Sequence, residues 1–173
     1  MDANWQPYEH EYRSLGVVPD FIIDLTLRFD NALAESLLAL WTSRCSPGRL
    51  PARHDFDMTS LRPYLGWLCM QRVTPDRSDM VLSLVGTNVV RNVGRDSTGK
   101  TLREVLPPGV RNITMQLLSH PRPLRLSGPV TWRRRDFLRH EALMLPLARD
   151  GVTVDQVMVL AMFYRSPDQP QGA

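Results

Sequence analysis

Lysine is almost missing from this chain. Of the 21 basic residues, 20 are arginine and one is Lys100. Cysteine is also scarce, with only Cys45 and Cys69. They form no Cys-x-x-Cys pair and have no histidine at zinc spacing, which argues against a structural zinc site or a disulfide scaffold. Two free, partly buried thiols are expected. No window approaches the ~18 uninterrupted apolar residues of a membrane span. The first residues, Met1-Asp-Ala-Asn-Trp5, have neither the basic nor the apolar region of a secretory signal, so a cytoplasmic location is expected. Glutamate and histidine are few, at five and four residues. No Ser/His/Asp elbow, no His-Glu-x-x-His and no metal-spaced cluster stands out, and a non-enzyme is expected.

The 173 residues suit one domain with an extension. With 43% hydrophobic and 23% charged residues, the chain belongs to folded globular proteins. Its net charge of +3 is polarised: residues 1–60 carry −4 and residues 61–173 carry +7.

Residues 1–30 read as a flexible arm, with Pro7, Gly16 and Pro19 in an irregular polar stretch. A helix is expected over 31–44, capped by Asp30 or Asn31. Leu33, Leu37, Leu40 and Trp41 fall on one face, and these four residues are candidates for a dimer interface. Residues 31–66 form a helical extension, with a second short helix at 58–65. Strands are expected at 67–73 and 80–85, joined by a Pro/Asp-containing turn. Glycines and prolines break 87–121 into short helices, the longest at about 110–119. Strands return at 124–134, 137–147 and 153–164, the last two joined by Arg149-Asp-Gly151. The last strand is apolar on both faces, so both must be covered. The short helices suit one face and helix 31–44 the other, alone or with a partner subunit. Residues 166–173 read as a disordered tail.

Gly94-Arg-Asp-Ser-Thr-Gly99-Lys100-Thr101 matches the phosphate-loop pattern at every fixed position. Such a loop leaves a buried parallel strand and enters a sustained helix. Here hairpin-connected strands follow, and Pro107 and Pro108 interrupt the helix early. A nucleotide-binding protein using Gly94–Thr101 is therefore an alternative, and a structural turn is the competing reading. Arg122, Arg125, Arg133, Arg134, Arg135 and Arg139 against Asp136 give +5 within 18 residues, beside Trp132. Arg133, Arg134 and Arg135 are candidates for anion binding, and an arginine-led nucleic-acid or nucleotide binder is a second alternative. They fall at an expected hairpin tip, where solvated charge is ordinary, and no nucleic-acid motif accompanies them.

Three segments bear on the family. Arg49-Leu-Pro-Ala-Arg53-His-Asp55-Phe-Asp57 precedes the second short helix. Leu84-Val-Gly86-Thr87 runs on towards Gly94-Arg-Asp96-Ser-Thr98-Gly99. Leu145-Pro146-Leu147 precedes the final turn. In order and spacing these resemble the small stand-alone PAS-domain proteins of bacteria, over roughly residues 31–165. The resemblance implies an α+β PAS fold over 67–165: a five-stranded antiparallel sheet with short helices on one face. It implies a sensory or interaction module in signal transduction, binding a small ligand or a protein partner, and expected to be a homodimer. Candidate ligand-binding residues are Asn88, Met115, His120, Trp132 and Met144. Met115, Met144, Met158 and Met162 suit an adaptable cavity or an ordinary core. The resemblance makes Gly94–Thr101 a turn into a short helix. Haem and flavin are not expected, because 87–121 holds no cysteine and only His120 and His140 could face a cavity. Nucleic acid is not the expected partner.

Overall fold

The computed structural model describes residues 22–29, 31–129 and 138–165. Among these residues, six strands form one antiparallel sheet: β1 (Ile22–Asp24), β2 (Leu68–Val73), β3 (Met80–Val85), β4 (Leu124–Pro129), β5 (Leu138–Leu147) and β6 (Gln156–Arg165). Their spatial order is β1-β4-β5-β6-β2-β3. The helices are α1 (Ala32–Arg44), α2 (Met58–Leu61), α3 (Thr87–Val93), α4 (Leu102–Val105) and α5 (Pro108–Gln116). The fold is thus α+β with an antiparallel sheet, as expected, but with six strands rather than five.

The extra strand places 22–24, which fall within the expected flexible arm, in the sheet instead. Ile22, Ile23 and Asp24 pair with Ser127, Leu126 and Arg125 of β4. Arg125 holds the strand in place: it pairs with Asp24 at 3.4 Å, bonds the buried Glu141, and lies 5.8 Å over the Phe29 ring. Tyr164 donates to the other oxygen of Glu141 at 2.9 Å. A buried carboxylate is tolerated where charge-assisted bonds surround it in this way. Residues 1–21 and 166–173 lie outside the described residues.

The doubly apolar β6 sits two strands in from β3, and both its faces are covered. One core packs Val157, Val159 and Ala161 under α3, α4 and α5. The other packs Met158, Leu160 and Met162 under α1 and α2. Asn31 is the N-cap of α1, its side chain accepting from Leu33 N at 2.8 Å. The deepest stripe on α1 is Ala34, Leu37 and Trp41; Leu33, Leu38 and Leu40 flank it half-buried. Trp41 Nε1 donates to the Pro146 carbonyl at 3.0 Å, fixing α1 to β5. Of the four residues expected at a dimer interface, two are buried in this way and two stay partly exposed. Leu37 and Trp41 are spent within their own chain, and Leu33 and Leu40 pack beside them.

Candidate ligand cavity

Short helices close the first face, and one buried carboxylate fixes them. Asp79, at the end of the β2–β3 turn, accepts from Met80 N at 2.9 Å and Arg111 Nε at 3.2 Å. Its other oxygen accepts from Arg103 N at 3.3 Å. The turn is thereby tied to both α4 and α5. Thr101 and Glu104 form a capping box that starts α4.

Between these helices and the sheet lies a cavity of about 110 Å³. Its origin is legible in the register. Ala142 of β5 is the direct partner of Ala161 of β6, in a face built mainly from larger side chains such as Leu, Val and Met. Two adjacent methyl side chains leave volume that larger neighbours would fill. Val89 and Val93, one turn apart on α3, roof it together with Leu102, Val105 and Val110. Met144 and Val159 form part of the floor.

Few polar groups interrupt this lining. Gln71 on β2 is 4% exposed, and no protein donor reaches its Oε1 among the described residues. A register irregularity between Met70 and Gln71 brings Leu82 opposite Gln71 and leaves Ser83 unpaired, with Ser83 Oγ donating to the Met70 carbonyl at 3.2 Å. Such bulges aim side chains at sites. His140 lies at the opposite end. Gln71 pairs with Val157 and His140 with Phe163, positions six residues apart on β6, or about 20 Å along the strand. Burial pushes the His140 imidazole down to about 4, against a smaller opposing effect of its bond to Gly128, so it is neutral at pH 7. Cys69 also lines the cavity, and burial pushes its thiol up to about 12. It is no activated nucleophile. Ser97 is buried, and Arg95 is the one exposed residue among the described residues lining the cavity.

Of the expected ligand-binding residues that the structure describes, only Met144 lines this cavity. Met115 packs half-buried against the same core. Asn88 is turned to the start of α3, its side chain against Gly66 and its carbonyl accepting from Asn92 Nδ2. His120 follows α5, its amide bonded to the Gln116 carbonyl. Trp132, Arg133, Arg134 and Arg135 lie outside the described residues. Sequence reasoning missed Gln71, Arg95 and the alanine pair. One signal was available for Gln71: in Leu68-Cys-Met-Gln71 it alternates with Cys69, on the inward side of an apolar strand.

The phosphate-loop string has another use. Gly99 N donates to the Leu82 carbonyl at 2.7 Å, and Lys100 O accepts from Leu82 N at 2.9 Å. The string therefore lies along the outer edge of β3. Thr98 N is bonded to Asp96, Lys100 N to Ser97 O, and Thr101 N to Glu104. Lys100 Nζ pairs with Glu104 at 3.2 Å. With these amides and the lysine bonded within the loop and to β3, the string has the geometry of a turn, unlike the free amides of a phosphate cradle.

Among the described residues no group of three or more His, Cys, Asp or Glu stands close enough to hold a metal, and no helix is long and apolar enough to cross a membrane. Neither the models of known protein families nor the curated proteins contain a match to this chain.

Proposed function

We propose that this chain is a non-catalytic sensory module of the PAS type that binds a small molecule between its sheet and its short helices. The observation that carries the reading is the cavity over Ala142 and Ala161, apolar throughout its body and edged by buried Gln71 and His140. Ligand sites have this make-up: an apolar body with few polar groups that fix orientation. The architecture supports the PAS assignment. The first two strands of the PAS segment, β2 and β3, are bridged to the last three, β4 to β6, by short helices on one face, as the family resemblance implies.

Signalling would follow from the way the cavity is roofed. Helices α3 and α4 are short and flanked by glycines at 94 and 99, both with positive φ. A ligand that fills the space changes their packing at small cost, and a partner protein can read that outer surface.

The test is native mass spectrometry of the purified protein, with an absorbance spectrum. A co-purifying small molecule that is released on denaturation, and lost in Ala161→Leu, is the expected result. Retention of the same molecule by a folded Ala161→Leu variant would remove the cavity from the account.

A further inference from the structure

We propose that the cavity selects a compact amphipathic anion: an apolar body about the size of one aromatic ring, a hydroxyl or N–H group that donates to Gln71 Oε1, and a carboxylate that meets Arg95. This rests on the ligand-binding reading above and narrows it to a chemical class.

Size comes first. A cavity of about 110 Å³ is somewhat smaller than the ~150 Å³ apolar cavity that holds benzene in an engineered protein. One ring, or a branched chain of similar bulk, is the limit over Ala142 and Ala161. Next is the donor. Gln71 is nine-tenths buried in an apolar wall, with an acceptor oxygen that no protein donor satisfies among the described residues. A buried acceptor in that state is costly, and a ligand donor removes the cost. A purely apolar ligand, or one bearing only acceptors there, would not.

The charge is set by Arg95. It is the exposed member of the lining, and it makes no hydrogen bond or ion pair among the described residues. Its neighbour Asp96 is occupied by Thr98 N and Oγ1, at 2.9 and 2.7 Å. The loop carrying Arg95 is bonded through Gly99 and Lys100 to Leu82, and Leu82 is the partner of Gln71 across the sheet. Gln71 and Arg95 both line the cavity, and His140 lines it from β5. A guanidinium at the solvent boundary suits a carboxylate left at the entrance while the apolar part is inside.

Four probes separate these contributions by calorimetry: 4-hydroxyphenylacetate, phenylacetate, 4-methylphenol and toluene. The first is expected to bind most tightly, with loss of the hydroxyl or of the carboxylate each weakening binding about tenfold. Gln71→Leu should abolish the preference for the hydroxyl and keep that for the carboxylate, and Arg95→Gln should do the reverse. Equal affinities for all four probes would overturn the ligand class and leave the cavity as a binding site. Failure of all four to bind the folded wild type would overturn the binding-site reading itself.

Discussion

Gln71 is an expensive residue for a core position. Its amide is withdrawn from water and its oxygen meets no protein donor among the described residues. Gln71→Leu should therefore stabilise the ligand-free protein by about 1–2 kcal/mol, because a buried unsatisfied group is replaced by an apolar one of similar size. Urea unfolding measures this, and a clear destabilisation would show that Gln71 supports the fold instead. His140 gives a second residue-scale expectation. Its folded pKa of about 4 lies below the ordinary value of about 6.5. Between those values the unfolded chain binds the proton and the folded chain does not, so stability falls as pH drops through that window. His140→Phe should flatten this part of the pH profile. A separate loss is expected between about pH 4 and pH 2, where Asp76 and Asp150 take up protons in the unfolded chain while local hydrogen bonds hold both near 2 in the folded one. The free energy of unfolding against pH resolves the two windows.

Among the elements, α1 was legible because its signals are local. Asn31 supplies the cap, and the leucines and Trp41 fall at helical spacing. What it covers was also legible, since β6 is apolar on both faces and needs two covers. The partner was less so: Leu37 and Trp41 pack in one core with residues of β5 and β6 of the same chain. Leu37→Ala should cost about 2–5 kcal/mol by opening a cavity under α1, with the molecular mass in solution unchanged. A change of oligomeric state in that variant would restore α1 as an interface. β1 was illegible for the opposite reason. Three residues carry no periodicity, and their partner β4 lies about a hundred positions away. The junction between β3 and α3 is stricter than its sequence suggests. A Cβ on Gly86 would run into the carbonyl oxygens of Leu65 and Gly66, which are backbone and cannot swing aside. Gly86→Ala should lower stability by about 1–3 kcal/mol or more in thermal unfolding. At Gly99 there is open space but positive φ, so alanine there should cost about 1–2 kcal/mol through backbone strain alone.

At the scale of the whole molecule, the sheet divides two different interiors. The α1 face is filled by Leu143, Leu145, Met158 and Leu160 and works as a core. The opposite face carries the alanine pair, the cavity and the short, glycine-bounded helices. This division was half visible in the sequence. Alternation on β6 announces two faces, but only the register of β5 on β6 sets Ala142 beside Ala161. That register depends on pairing across the sheet rather than on any local pattern. The lone lysine, conspicuous in composition, proves to be an edge residue paired with Glu104, while an ordinary-looking arginine, Arg95, borders the cavity. The most direct measurement of the central claim is a methyl NMR titration of alanine- and methionine-labelled protein with 4-hydroxyphenylacetate. The expected result is saturable shifts at Ala142, Ala161 and Met144, with Met158 and Met162 on the other face unmoved; shifts confined to that other face, or none at the alanine pair, would contradict it.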